Sequence, residues 1–188
     1  MTKTLVKQTL TRTLRHFETV HAHRKLVREG CFAVGLYLQG ILHDLSKYSP
    51  AEFITGARYY QGYRSPNNAE REDKGYSLAW MHHKGINQHH YEWWIDYSAT
   101  EGVGAAPAKM PRRFLIEMFM DRVAASKTYN GKNYRDDYPL AYFNKGKPHI
   151  VMHEQTMREL EFLLTMLAEE GEEKTFSYIR DNVLCGRH

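Results

Sequence analysis

The sequence contains few cysteines, and this scarcity excludes several kinds of protein. Its 188 residues include only Cys31 and Cys185, which form no CxxC spacing. Two such residues predict neither a disulfide framework nor a cysteine-based zinc site, and a reducing cytoplasm is the default location. Thiol catalysis also lacks support, because neither cysteine has a persuasive partner. Any metal site in this chain must therefore rely on histidine and carboxylate side chains.

Long apolar runs and the common phosphate-binding loops are also missing. The longest apolar run is about a dozen residues, too short to span a bilayer, and residues 1–19 are polar and threonine-rich, unlike a secretory signal. No GxxxxGK[ST], GxGxxG or GxSxG motif occurs. The formal charge of +4 suits an anionic substrate but is too small to indicate nucleic-acid binding by itself. We therefore expect no membrane contact and a small anionic substrate.

Helical periodicity runs through most of the chain. His16, Val20, His23 and Val27 recur at spacings of four, three and four, which places them on one face of a helix. Alternating strand patterns are scarce and no internal repeat is visible. The sequence therefore predicts an all-α fold, a single helical bundle over 1–188 with its core at 12–168 and a C-terminal helical extension at 172–188.

Glycine, proline and capping residues set the expected helix boundaries. Gly30 predicts the end of the first helix, and Ser49-Pro50-Ala51-Glu52 combines an N-cap, a first-position proline and a first-turn acid. We expect the longest amphipathic helix to lie between Pro148 and Gly171. The predicted helices are 12–29, 32–43, 50–61, 76–83, 89–97, 111–127, 148–171 and 176–184; loops are predicted at 62–74 and 98–109, and residues 129–147 give no clear pattern.

Histidine is the residue type that stands out, with eleven in the chain. His23 shares its helix face with valines, and a single histidine of that kind is more often bonded to a backbone carbonyl in the core. His43 and Asp44 close the mostly apolar stretch 31–42. They are expensive to bury unless a cation compensates them, although a helix-end histidine followed by a solvated, turn-forming aspartate explains them equally well.

A second histidine cluster and an isolated acid extend the candidate set. Four imidazoles fall between His82 and His90, more than packing needs, although a loop with solvated histidines is the alternative. Asp121 lies on the apolar stripe of Phe114 and Met118. Such an acid either pairs with a nearby arginine or lysine or binds a metal ion.

The order of these residues resembles the HD-domain superfamily of metal-dependent phosphohydrolases over about residues 20–130. In that all-α superfamily, one helix carries the first histidine ligand, a His-Asp doublet ends the next, and a distant helix supplies the last aspartate. Here His23, His43, Asp44 and Asp121 occupy those places in that order. The segments also resemble an HD-like family of bacteria and phages known only as a domain of unknown function.

One short motif adds to the resemblance and one position leaves a choice. Many HD proteins extend the doublet to His-Asp-x-Gly-Lys, and this chain keeps the lysine as Lys47 while Ser46 replaces the glycine. His21 could replace His23 as the first ligand, but His23 shares a face with Val20 and Val27.

The resemblance implies one or two divalent ions, of Mn, Fe, Ni, Co or Zn, and a water that attacks a phosphate ester. The implied metal ligands are His23, His43, Asp44, His83, His89 and Asp121. The implied catalytic residues are Asp44, with His82 or His90 as general acid. Phosphate binding is expected from Lys47, Arg122 and Lys127, and orientation of the imidazoles from Asn87 and Glu92.

Three questions stay open at the level of sequence. The substrate is a nucleotide, a cyclic nucleotide, an oligonucleotide or a phosphorylated metabolite. A non-catalytic metal- or phosphate-binding scaffold or sensor is an alternative function, as is nucleic-acid binding through Tyr59, Tyr60, Tyr63 and Arg64. A homo-oligomer could form through the exposed side of the last amphipathic helix.

Overall fold

The computed structural model describes residues 3–184, and this part of the chain is mostly helical. The described residues contain eight α-helices and one two-stranded antiparallel hairpin. The helices are α1 (Lys3–Ala33), α2 (Tyr37–Leu42), α3 (Pro50–Tyr59), α4 (Pro66–Lys74), α5 (Leu78–Ile86), α6 (Arg112–Asn130), α7 (Tyr138–Gly146) and α8 (Glu154–Tyr178); the strands are β1 (Ile95–Tyr97) and β2 (Ala105–Pro107). The all-α prediction is confirmed, apart from this hairpin.

Helix α1 extends beyond its predicted bounds at both ends: it begins at Lys3, before residue 12, and Gly30 does not end it. A Cβ atom at Gly30 would lie 2.8 Å from the sulfur of Met120 on α6, so this glycine allows the two helices to approach closely. The chain breaks instead at Gly35, whose φ of +87° is accessible to glycine. Helix α2 therefore begins at Tyr37, five residues after the predicted start at 32.

Two segments that the sequence left as loop or unassigned are helical. Helix α4 lies inside the predicted loop 62–74; Pro66 occupies its first position and Gly75, at φ +80°, ends it. Helix α7 lies inside 129–147, with Pro139 in its first turn. Each has nine residues, α4 is polar and α7 is aromatic, so helical periodicity was weak in each.

The hairpin replaces a predicted helix. Residues 89–97 were expected to be helical, but only Tyr91–Trp94 form a 3₁₀ turn before β1. Its partner β2 lies in the predicted loop 98–109, with Asp96 opposite Ala106. Strands of three residues are too short to show a period in the sequence.

Helix α8 is displaced from its predicted bounds of 148–171. Pro148 belongs to the 3₁₀ turn Lys147–His149, and α8 begins after His153, whose ring accepts a hydrogen bond from the Gln155 backbone. Gly171 interrupts the helical geometry at φ +79° without ending the helix, which passes into the turn Ile179–Leu184. Helix α8 has 25 residues and α1 has 31, so α8 is not the longest. Residues 185–188 of the predicted extension, with Cys185, lie outside the described residues.

The apolar core forms where α6 packs between α1 and α8. Its buried side chains include Val27 and Cys31 of α1, Phe119 of α6, and Leu160 and Leu164 of α8. Their burial removes apolar surface from water and fixes the three helices relative to one another. No helix in the described part of the chain is both long and apolar enough to cross a bilayer.

Candidate metal centre

The His-Asp doublet lies immediately after α2, where the backbone changes direction. Asp44 has φ +53° and is the one non-glycine residue with positive φ between residues 3 and 184. Aspartate tolerates this conformation better than most residues, at a cost of about 1 kcal/mol. Arg24 of α1 donates hydrogen bonds to the carbonyl oxygens of His43, at 2.7 Å, and Ile41, at 3.1 Å. These contacts hold the doublet against α1.

The two carboxylate oxygens of Asp44 face different histidines. Oδ2 lies 3.7 Å from His23 Nε2 and 3.4 Å from His43 Nε2. Oδ1 lies 3.2 Å from His83 Nε2 and 3.3 Å from His89 Nε2. All five residues are buried. Asp44 is therefore shared between two pairs of imidazoles. One pair comes from α1 and the segment after α2, and the other comes from α5 and the segment after it.

Two further residues complete two four-residue groups. Asp121 Oδ1 lies 3.0 Å from His23 Nε2, and His90 joins the histidines on the other side of Asp44. The first ligand group is His23, His43, Asp44 and Asp121; the second ligand group is Asp44, His83, His89 and His90. Within each group, one potential ligand atom per residue lies within 4.8 Å of the others. This spacing allows each group to bind one ion.

The polar atoms at this centre fit divalent metal ions. The Nε2 atoms of the five histidines and Asp44 Oδ1 are buried, and none has a hydrogen-bond partner among the described residues, while Asp44 Oδ2 forms an ion pair with Lys47. A buried polar atom without a partner costs about 1–3 kcal/mol. Imidazole nitrogen and carboxylate oxygen are ordinary ligands of Mn, Fe, Co, Ni and Zn. An ion in each group would satisfy all of these atoms at once.

Two buried glutamates that the sequence analysis missed orient the imidazoles. Glu117 Oε1 lies 2.9 Å from His43 Nδ1 and 3.1 Å from His89 Nδ1. Glu52 Oε2 lies 2.7 Å from His83 Nδ1. A histidine that donates its Nδ1–H to a carboxylate keeps the Nε2 lone pair for a metal ion. The glutamates therefore set three rings in the tautomer and orientation that metal binding requires.

One signal in the sequence could have found Glu117. It lies four residues before Asp121, so both side chains project from the same face of α6. A second acid one turn from a candidate ligand is an unusual placement on a helix that contributes to the core. Glu52 gave no comparable signal, because an acid in a first helical turn is common at the surface.

The pKa shifts of Asp44 and His43 favour an ionised Asp44 carboxylate with positive charge beside it. Burial would raise the pKa of Asp44, but the charges of His43, Lys47 and His83 hold it well below its usual range. Burial would lower the pKa of His43, but Asp44 and its other acidic neighbours raise it well above 6.5. Burial and neighbouring imidazoles lower the pKa of His90. In the metal-free protein a proton on His43 therefore compensates the Asp44 carboxylate, and a divalent cation bound at Nε2 would replace that proton.

A cavity of about 820 Å³ opens onto both ligand groups. The lysines and arginines of its wall are Lys47, Arg64, Arg71, Arg122 and Lys145, of which Lys47 and Arg122 lie next to residues of the first ligand group. Lys47 Nζ lies 2.5 Å from Asp44 Oδ2, while the buried Arg122 Nε has no hydrogen-bond partner in the described part of the chain. Aromatic residues form much of the remaining wall: Tyr60, Trp80, Tyr91, Tyr129, Tyr138 and Tyr142. The cavity thus offers positive charge near the ligand groups together with flat aromatic surface, of which Trp80 lies 4.8 Å from the ring of His90.

The structure brings together most of the residues predicted for the site. All six predicted metal ligands lie in the two ligand groups, together with His90, which had been predicted as a general acid. His21 is exposed, so His23 is the histidine of α1 that reaches the centre. Asn87 lies beside His83, but its Nδ2 donates to the His83 carbonyl oxygen at 2.8 Å and to Ser46 Oγ at 2.9 Å, so Glu52 and not Asn87 orients the His83 ring.

Three predicted residues lie elsewhere or contact other groups. Lys127 does not line the cavity and forms an ion pair with Glu172. His82 also lies outside the cavity wall and contacts Glu52. Glu92 lines the cavity, but its buried Oε2 has no partner among the described residues and no hydrogen bond joins it to a ligand imidazole. Sequence proximity to a ligand was therefore not enough to place these side chains.

The fold and the site define a mostly helical protein with buried histidine–carboxylate groups that are compatible with metal binding. The chain belongs to DUF5662, a family of unknown function that matches residues 12–166. No curated protein and no solved structure matches the chain.

Proposed function

We propose that the protein is a metal-dependent phosphohydrolase that cleaves a nucleotide or another phosphate ester, as its resemblance to the HD-domain superfamily implies. The observation that carries this proposal is the sharing of Asp44 between two groups of buried imidazoles at one cavity, whose Nε2 atoms have no hydrogen-bond partner among the described residues. Bound divalent ions would activate a water nucleophile at neutral pH and draw charge from the phosphoryl oxygens.

The cationic side chains in the cavity support a phosphate substrate. Lys47 follows the doublet by three residues, and its side chain is 28% exposed, so its ammonium group can contact a ligand. Arg122 is next to Asp121, has no ion pair among the described residues, and is held 5.7 Å above the Phe143 ring. A guanidinium group matches two phosphate oxygens, while an ammonium group acts as a point charge. Together they would bind and orient the phosphoryl group beside the ligand groups.

The aromatic part of the wall supports a substrate with a flat group. Tyr60 follows α3 and Trp80 lies in α5, and both line the same cavity. Aromatic faces stack on nucleobases without requiring a particular base. Arg64 is less suited to phosphate binding, because Glu72 forms a bidentate pair with it at 2.5 and 2.6 Å. This arrangement favours a small nucleotide-like molecule over a long nucleic acid.

Hydrolysis of aryl phosphate esters tests the proposal. The protein is purified without a nickel column, stripped of metal, and assayed with p-nitrophenyl phosphate and bis(p-nitrophenyl) phosphate after addition of Mn²⁺, Co²⁺ or Ni²⁺. We expect metal-dependent release of nitrophenol that the Asp44→Asn variant lacks. Tight metal binding without hydrolysis of these esters or of a nucleotide panel would instead favour the non-catalytic scaffold or sensor.

A further inference from the structure

Glu117 contacts both ligand groups through a single oxygen atom. Its Oε1 lies 2.9 Å from Nδ1 of His43, in the first ligand group, and 3.1 Å from Nδ1 of His89, in the second. The side chain is 7% exposed. Glu52 differs, because His83 is the one member of either ligand group that it contacts. The two glutamates therefore provide different support: Glu117 serves both groups and Glu52 serves one.

We propose that Glu117 is a positioning residue that couples the two ion-binding groups, so that they fill together and not independently. This inference rests on the proposed metal centre. Glu117 would not touch an ion or a substrate; it would act through the histidines that do.

The coupling follows from the geometry of one shared acceptor. A carboxylate oxygen has two lone pairs, so Oε1 can accept from both Nδ1–H groups at once. An ion in the first ligand group fixes the ring of His43, and this ring then holds Glu117 in one rotamer. That rotamer places the acceptor for His89, whose ring centroid is 4.4 Å from that of His43. The second ion therefore meets a histidine that is already oriented, which is positive cooperativity through ordering.

Direct binding of an ion by Glu117 is the competing explanation of the same cluster. His43, His89 and Glu117 do lie close enough together to form a third candidate group. However, the separations of 2.9 and 3.1 Å already suit hydrogen bonds, which satisfy the Nδ1 side of both rings. The Nε2 side of both rings is the side left without partners. The unpartnered atoms thus place the ions on the Asp44 side and leave Glu117 as the hydrogen-bond acceptor.

Titration of the metal-free protein with Co²⁺ tests the coupling, with visible absorption as a readout that reports the ligand field independently of activity. We expect the wild type to bind two Co²⁺ ions per chain with a Hill coefficient above one. The Glu117→Gln variant keeps the side-chain shape but loses the charge. Both of its ions should bind about 10–100-fold more weakly, and its Hill coefficient should fall to one. In the matched variant Glu52→Gln, one of the two ions should weaken.

The possible results separate the coupling from the metal centre itself. A wild type that binds no Co²⁺ would overturn both the proposed function and the coupling. Two ions that bind the wild type independently, or a Glu117→Gln variant that loses only one ion, would overturn the coupling alone. If Glu117→Gln does not fold, the wild-type Hill coefficient and the Glu117→Asp variant decide, because a shortened carboxylate cannot reach both rings.

Discussion

The Asp44→Asn substitution tests whether one carboxylate supports both ligand groups, because the two oxygens of Asp44 face separate sets of histidines. An ion that binds only the folded protein at a hundred times its Kd stabilises it by about 2.7 kcal/mol. Two such ions contribute about 5 kcal/mol, which raises the Tm of a domain of this size by about 10–20 °C. Asparagine keeps the shape but removes the shared negative charge, which leaves the second ligand group without a carboxylate and the first with Asp121 alone. We therefore expect the variant to lose nearly the whole metal-induced rise in Tm.

Thermal unfolding with and without Mn²⁺, together with elemental analysis of the purified protein, measures this effect. The matched control is Asp96→Asn, at an exposed position on β1 that contacts neither ligand group. This control should keep the full rise in Tm and the wild-type metal content. The reasoning is refuted if Asp44→Asn unfolds cooperatively, binds two ions per chain and gains as much Tm from Mn²⁺ as the wild type does.

Three further predictions concern residues around the centre. Lys47→Met removes the ammonium group from Asp44, so metal should bind at least as tightly while kcat/KM for a phosphate ester falls about 10–100-fold. Gly56→Ala places a Cβ 2.3 Å from His16 Nε2 and should lower the free energy of unfolding by about 1–3 kcal/mol, whereas Gly85→Ala meets no atom within 4 Å and should not. Because His43 has a raised pKa, its contribution to metal-free stability is complete below about pH 6.5 and is lost as pH rises through the folded-state pKa. Urea unfolding across this pH range measures that loss, and saturating Mn²⁺ should oppose it.

Each of these predictions has an outcome that would contradict it. Weaker metal binding by Lys47→Met would mean that its ammonium group supports the ligands and does not compete with ions. Equal stability of Gly56→Ala and Gly85→Ala would show that the ring of His16 moves freely. A metal-free protein that becomes steadily more stable above pH 6.5 would show that His43 is neutral there.

The sequence could predict those site residues whose burial would cost free energy in an ordinary apolar core. Three placements violate hydrophobic patterning: His23 on a valine-lined face, the doublet after an apolar stretch, and Asp121 on an apolar stripe. These residues lie together in the first ligand group. Such violations indicate function because a buried polar group must be compensated. The order of these residues along the chain, through its resemblance to the HD-domain superfamily, predicted six of the seven residues in the two ligand groups, whereas His90 was predicted as a general acid.

The features that sequence reasoning missed depend on contacts between distant segments. Gly30 leaves room for Met120 of α6 inside a continuous α1, and nothing near Gly30 in sequence reveals this contact. In the sequence, Glu52 has the pattern of a solvated acid in a first helical turn. In the structure, α5 places His83 beside it. Lys127 is close to Asp121 in sequence, but the pairing with Glu172 keeps it out of the cavity. Local patterns cannot distinguish these cases, because the deciding partner comes from another helix.

Anomalous X-ray scattering from crystals grown with Mn²⁺ tests most directly whether Asp44 lies between two ions. The account predicts two anomalous peaks on either side of the Asp44 carboxylate, separated by about 3.5–4 Å as in other two-metal centres. One peak should lie among His23, His43 and Asp121, and the other beside His83. An anomalous map without density at Asp44, from crystals in which Mn²⁺ binds elsewhere on the protein, would contradict the central claim.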